Sequence, residues 1–313
     1  MKSKKPKVLC EVLFEPMLGW VLQAVREAGI EEICVVTGSR HEAVEEYLQT
    51  LPFPVQTVFQ SERLGTGHAV MTARAFLEAH QDREVLILNG DAPFMDRDTI
   101  TAAFRCQTEG GEERGCTVIS AQVENPFGYG RIVHREDTGE IAAIVEEKEA
   151  DEQTRQIREV NSGAYWFCVR ELLGALDCLT PSALTHEYYL TDTVEILRRK
   201  GKRVLSCLTE NARTVLGANN NRQLSELNEQ ARRLVLDRLL EEGVVIPCGE
   251  GVLVHPRAVI GAQTVLLPAT VISGPAVIGE ECRLGPGVLI GKETLPDKTV
   301  RCPAVCGGVG GNS

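Results

Sequence analysis

The sequence has no apolar run approaching the ~18 residues that a helical bilayer span requires, no block of basic residues, and no Cys/His cluster at metal-ligand spacing. The first absence excludes a helical membrane protein. The second argues against nucleic acid as a partner, because affinity for a phosphate backbone rests on clustered cations. Here 33 Lys and Arg face 44 Asp and Glu, a net charge of −11. Only Cys302 and Cys306 lie close together, and with no His or further Cys beside them a zinc site is not expected. The eleven cysteines are otherwise scattered singly through runs such as Ile33-Cys34-Val35-Val36 and Trp166-Phe167-Cys168-Val169, which describes buried, reduced thiols. Met1 to Lys7 is basic but lacks the apolar core and cleavage site of a secretory signal, so a cytosolic location is expected.

The 313 residues suffice for two domains, each with its own core. Up to residue 223, short Val/Ile/Leu-rich runs alternate with helical patterns, the sequence form of a Rossmann-like α/β domain around a mostly parallel sheet. Strands are predicted at 32–37, 55–60, 84–89, 115–123, 160–169 and 203–208. Helical spacing covers 16–28, 40–50, 67–80, 96–106 and 186–200. Asp137-Thr138-Gly139-Glu140 between two apolar stretches predicts a hairpin within 130–148. Leu224 to Glu242 carries one apolar stripe and predicts a connecting helix within 224–249.

Beyond it the period changes to six. Val254, Ile260, Leu266, Ile272, Ile278, Leu284 and Ile290 follow one another at six-residue steps, with small residues Ala258, Thr264, Thr270, Ala276 and Cys282 four positions after the first five. This is the hexapeptide signature of a parallel β-helix, placed at 250–313. Strict counting then reaches Pro296, Cys302 and Gly308, so the pattern is expected to stop after about two coils and give way to a frayed glycine tail.

Several segments could carry chemistry. Leu86 to Pro93 ends a buried strand with Asn89-Gly90-Asp91, which puts a carboxylate at the sheet edge where α/β folds bind ligands; a turn or helix-capping Asp reads equally well. One carboxylate plus substrate phosphates is what Mg²⁺ prefers. Gln60 to Ala69 sets Gly65 and Thr66 ahead of a helix, where backbone N–H groups could approach a ligand or merely form a turn; His68 reads as a packing or capping residue. The Gly128-Tyr129-Gly130-Arg131 stretch fits either a bulge or a sugar-contacting loop. Glu146 and Asn161 fit hydroxyl recognition or internal bracing, and Asn219-Asn220-Asn221 an N-cap cluster.

Taken in order, these segments resemble the bifunctional N-acetylglucosamine-1-phosphate uridyltransferase / glucosamine-1-phosphate acetyltransferase family over residues 1 to about 290. The match rests on Ser3 to Leu9, Gln60 to Ala69, Asn89-Gly90-Asp91, Gly128 to Ile132, Ile144 to Lys148, Asn161-Ser162-Gly163, Tyr188 to Asp192, Gly217 to Asn220 and the hexapeptides. The resemblance implies a nucleotidyltransferase domain over 1–223, then a left-handed β-helix. It implies Mg²⁺ held by Asp91 and Asn219, Lys7 at phosphate, and Gln60, Gly65 and Thr66 at a uracil nucleotide. Asn89 and Gly90 would lie beside the nucleotide, and Gly130, Glu146 and Asn161 would hold N-acetylglucosamine. The expected reaction joins UTP and N-acetylglucosamine-1-phosphate, with release of pyrophosphate. The β-helix implies a capacity to form homotrimers.

The family pattern opens with a strand and a G-x-G-T-R-M loop, and this chain starts at what corresponds to its Met. The first strand and phosphate loop are therefore expected to be lacking; separately, the β-helix is expected to stop before the coils that bear acetyl transfer, so acetyltransferase activity is expected to be missing. Two further readings stay open: a transferase for another sugar phosphate, and a non-catalytic sugar-nucleotide-binding or oligomerising protein.

Overall fold

The computed structural model describes residues 5–109 and 111–302; the first residues of the basic N-terminal stretch and the glycine tail lie outside the described residues. The chain forms two compact units. The second unit takes a short hairpin, β1 (Glu11–Val12) and β2 (Glu15–Pro16), from near the start of the chain and combines it with residues from Ala218 onward. The first unit holds the remainder up to Gly217.

In the first unit, α1 (Met17–Glu27) leads to β3 (Cys34–Thr37), α2 (His41–Gln49) and β4 (Gln56–Phe59). Next come α3 (Thr66–Thr72), α4 (Arg74–Glu78), β5 (Glu84–Ile87) and α5 (Arg97–Glu109). Then follow β6 (Arg114–Gln122), the hairpin β7 (Arg131–His134) and β8 (Ile141–Val145), and α6 (Glu152–Arg155). The unit closes with β9 (Glu159–Cys168), α7 (Val169–Leu176), α8 (Asp192–Arg199) and β10 (Arg203–Thr209). The six predicted strands and the hairpin are therefore all present. Two helices are shorter than their periodicity suggests. The run 67–80 divides at Ala73, and 186–200 becomes helical only from Asp192. The physical reason for the second difference is that Tyr188 is committed elsewhere: its N–H donates to the Leu64 carbonyl (2.7 Å) and its carbonyl accepts from Gly67 N–H (2.8 Å). Helical bonds and these cross-chain bonds would compete for the same backbone groups.

The larger sheet runs β10-β6-β9-β7-β8, with β5 also paired to β9. Because β9 is antiparallel to β5, β6 and β7, those three strands run one way, and β10 joins them through its parallel ladder with β6. The sheet is mostly parallel in strand direction although β9 and β8 are reversed. Phe167, Val118, Ile132, Leu172 and Leu197 fill the core on one side, all at most 1% exposed. β3 and β4 form a separate parallel pair. Among the described residues, β3 pairs only with β4 and β5 only with β9. Val35, Val36, Leu86 and Ile87 are accordingly half-buried, where sequences of this kind normally mark strands covered on every side.

In the second unit, α9 (Asn221–Glu241) is capped by Asn220, whose side chain accepts from Gln223 N–H (2.9 Å). The hexapeptides then build three parallel three-stranded sheets, consistent with a left-handed β-helix. The strands are β11 (Leu253–Val254), β12 (Val259–Ile260), β13 (Val265–Leu266), β14 (Val271–Ile272), β15 (Val277–Ile278), β16 (Arg283–Leu284), β17 (Leu289–Ile290), β18 (Thr294–Leu295) and β19 (Val300–Arg301). Every aliphatic repeat position through Ile290 is buried, as are Ala258, Thr264, Thr270, Ala276 and Cys282 at the corners.

The expectation of about two coils is corrected: the nine strands make three. After Ile290 the step shortens to five residues, so that Leu295 pairs with Ile278 and Arg301 with Leu284. Leu295 is 4% exposed and Pro296 lies outside. An aliphatic side chain gains from burial in the stack, whereas proline would bring no N–H to the ladder.

The thiols are also less uniform than expected. No disulfide forms among the described residues, yet Cys178, Cys248 and Cys302 are exposed.

Candidate functional site

At the C-terminal edge of β5 the chain turns through Asn89-Gly90-Asp91. Capping of α5 falls to Asp96, whose Oδ1 accepts from Thr99 N–H (2.7 Å), so Asp91 is not used as a helix cap. Its Oδ2 lies 2.5 Å from Lys7 Nζ, with the two side chains 30% and 36% exposed. Small residues position this pair. A β-carbon on Gly90 would stand 3.4 Å from both Val8 and Leu18, and one on Gly217 would stand 3.1 Å from the Asp91 carbonyl oxygen. The turn is thus closely packed by its neighbours, most tightly at Gly217.

The Gln60–His68 loop is braced from Tyr188 to Leu190. Gly65 has φ +100°, a conformation L side chains rarely adopt, and a β-carbon there would stand 2.5 Å from the Tyr188 carbonyl oxygen. Thr66 Oγ1 accepts from Leu190 N–H (3.1 Å). Gln60 Nε2 donates to the Gly65 carbonyl (3.3 Å) and lies 2.9 Å from His68 Nδ1. His68 therefore acts inside the loop, as expected, and Gln60 shares in the bracing.

Gly130, Glu146 and Asn161, far apart in sequence, do come together. A β-carbon on Gly130 would lie 3.6 Å from Asn161 Cβ and 3.6 Å from Glu146 Oε2. The bulge between β6 and β9 explains the placement: Ile119 faces Ala164 but Ser120 faces Asn161, so Ser162 and Gly163 are extra and the strand bends. Asn161 donates to the Tyr165 hydroxyl (2.6 Å) and accepts from Gly163 N–H (3.0 Å). Burial pushes the Glu146 carboxyl above the usual carboxylate range; the charges of Glu149 and Asp192 act the same way, and a hydrogen bond from Thr191 (3.3 Å) opposes them. Asn89 reaches the same group, since its side-chain amide fills the space beside Gly163.

Sequence reasoning assigned no role to three features. Arg131 is 1% exposed; it donates to the Tyr129 carbonyl and pairs with Glu147 (2.7 Å), which also accepts from Gly128 N–H (3.1 Å). The buried cation thereby clamps the turn before Gly130. Tyr188 stood inside a quoted segment without a function, and the contact of Gly217 with Asp91 gave no signal at all. Asn219, expected as a metal ligand, lies in the second unit and donates its backbone N–H to Gln223 Oε1 (2.7 Å). Among the described residues no three His, Cys, Asp or Glu side chains gather as a metal cage, and no helix is long and apolar enough to cross a membrane.

A carboxylate at a strand edge, a glycine turn ahead of a helix, and a hexapeptide β-helix together define an α/β transferase-type protein with a repeat domain. The chain belongs to the nucleotidyl transferase family, which matches residues 1–218, and the bacterial transferase hexapeptide family matches residues 257–292. It is 40% identical over 301 residues to the bifunctional protein GlmU of Heliobacterium modesticaldum, covering 96% of this chain and 64% of that protein. The GlmU proteins of Caldanaerobacter subterraneus subsp. tengcongensis and Acetivibrio thermocellus are 38% and 39% identical, over 94% and 95% of this chain and 63% of each relative. The chain spans just under two thirds of the length of these relatives. The resemblance drawn from its motifs is borne out.

Proposed function

We propose that the first unit is a sugar-1-phosphate uridylyltransferase that joins UTP to N-acetylglucosamine-1-phosphate and releases pyrophosphate. The observation that carries this reading is the Lys7–Asp91 pair at the β5 edge, in the same unit as the Gly130, Glu146 and Asn161 cluster. The sugar phosphate is already an anion, so its oxygen can attack the α-phosphorus without a protein base. The task is alignment and neutralisation of crowded negative charge.

The donor set fits Mg²⁺, a hard ion that accepts one or two oxygen ligands from protein and takes the rest from phosphate and water. Asp91 already carries a cation, the Lys7 ammonium, against its carboxylate. Asp91 would hold the metal, which would neutralise phosphate oxygens and orient the reacting groups. Lys7 supplies a second positive charge to the phosphates. Gln60, Gly65 and Thr66 form a rigid rim for the uracil nucleotide, with Asn89 and Gly90 beside it. Glu146 and Asn161 present polar groups to sugar hydroxyls and the acetamido group, over a floor kept open by Gly130. Val259, Val277 and Leu289, exposed on the β-helix, supply apolar surface for homotrimerisation.

The test is pyrophosphate release from UTP, Mg²⁺ and a panel of sugar-1-phosphates. N-acetylglucosamine-1-phosphate should be preferred. Release with none of them would overturn the reading; preference for a different sugar would replace the substrate but keep the reaction.

A further inference from the structure

We infer that Lys7 is a resident counter-cation that a divalent ion must displace from Asp91, so that the ammonium is handed to phosphate only when the metal arrives. The inference rests on the uridylyltransferase reading above. The segments that carry the two groups are tied down at the backbone. Cys10 N–H donates to the Lys7 carbonyl and Leu9 N–H to that of Pro6 (3.0 Å each), which fixes the turn that carries Lys7. Val8, the next residue, packs on Gly90, the residue before Asp91, while Gly217 holds the Asp91 carbonyl from another direction. The two backbone segments are thus held close together, and the ammonium meets the carboxylate at 2.5 Å.

An ammonium this close to a carboxylate oxygen occupies the approach that a divalent ion would need, and the two cations repel at such separations. A bare divalent ion must break the ion pair and brings no anion for the ammonium. One that arrives with a polyphosphate brings an acceptor for the released ammonium. Metal and nucleotide therefore favour each other's binding, and by linkage the coupling is reciprocal. The ion pair is a latch against unproductive metal binding.

Mn²⁺ binding to the whole chain, measured calorimetrically without nucleotide, tests this. Lys7→Met keeps the aliphatic stem and removes the charge, and should tighten Mn²⁺ binding about three- to fivefold, the scale a partly exposed ion pair supports. A non-hydrolysable UTP analogue should tighten Mn²⁺ binding by a larger factor in the parent than in Lys7→Met. Should Lys7→Met lose its cooperative melt, Lys7→Gln replaces it with the same expectation. Unchanged or weaker Mn²⁺ binding in these variants would overturn the latch. Asp91→Asn separates the two levels: it should abolish Mn²⁺ binding, and if it binds as the parent does, the metal reading at Asp91 falls and the latch with it. Loss in Asp91→Asn with no change in the Lys7 variants would remove the latch alone.

Discussion

Leu295 pairs with Ile278 in the β-helix, five residues after Ile290 instead of six, and Pro296 is left outside the stack. One shortened step lets the chain keep an aliphatic residue inside the third coil. Leu295→Ala should therefore cost about 2–4 kcal/mol through lost burial and a residual cavity. Pro296→Ala, at the position a strict repeat would bury, should stay within about 0.5 kcal/mol. Chemical denaturation of the two variants decides between the registers; equal losses would contradict the observed one.

Gly65 and Gly130 should respond differently to the same added methyl. At Gly65 the β-carbon meets the Tyr188 carbonyl at 2.5 Å in a left-handed conformation, so Gly65→Ala should destabilise the fold by about 2–4 kcal/mol. At Gly130 the nearest atom is Ile144 Cγ2 at 3.2 Å, and the methyl would project toward Glu146 and Asn161. Gly130→Ala should leave the melt within about 1 kcal/mol and raise the KM for the sugar phosphate roughly tenfold, the scale of one misfitted methyl-sized group. The KM for UTP should change much less. Steady-state kinetics with each substrate varied in turn checks the split.

Asp91→Asn is isosteric and sits on a partly exposed turn, so its melting temperature should match the parent within a few degrees. Its kcat/KM should fall about 100- to 1,000-fold, the scale of several kcal/mol of lost charge stabilisation. A variant that turns over at the parental rate would show that Asp91 lies outside the reaction.

His134 ties stability to pH. Its ring nitrogens lie 2.7 Å from Glu159 and 2.9 Å from the Gly139 carbonyl. Partial burial works against the charged imidazole, but the hydrogen bonds to Glu159 and Gly139 outweigh it and hold the group above its usual value. For Glu159, burial acts upward and is outweighed by bonds from Ser120, Ser206 and His134, which hold it below the usual carboxylate range. A raised imidazole stabilises the fold fully below its ordinary value of about 6.5 and loses that contribution as pH rises through the folded value; a lowered carboxylate contributes above about 4.3 and loses its share as pH falls. The stability gap between parent and His134→Asn should be wider at pH 5.5 than at pH 8.5. Thermal melts at both values check it, and a gap independent of pH would contradict it.

The strands, the hairpin and the helix from Asn221 were legible because each rests on local periodicity or local turn chemistry. The β-helix was legible through its period, up to the one residue where the period changes. Tyr188 could not be read as non-helical, because the groups that pull its backbone out of a helix belong to Leu64 and Gly67, more than a hundred residues earlier. The sugar-site residues Gly130, Glu146 and Asn161 could be singled out only as polar or glycine interruptions of apolar runs. Their convergence depends on a bulge in β9 whose signal, Ser162-Gly163, is too weak alone. Arg131 carried no signal, since a cation beside a strand reads as a solvated residue until Glu147 is seen to neutralise it.

The hairpin at Glu11–Pro16 belongs to the same unit as α9 and the coils, where Glu15, 3% exposed, faces His255 (3.3 Å) and Arg257 (2.8 Å), and Leu13 N–H donates to Asn228 (2.8 Å). No single cut in the gene can therefore separate the two units cleanly. A fragment beginning at Ala218 would leave behind six residues that its own interior needs, and His255 and Asn228 would lose their partners with them. Expression of the repeat region by itself calls for a graft of that hairpin, not merely a choice of boundary.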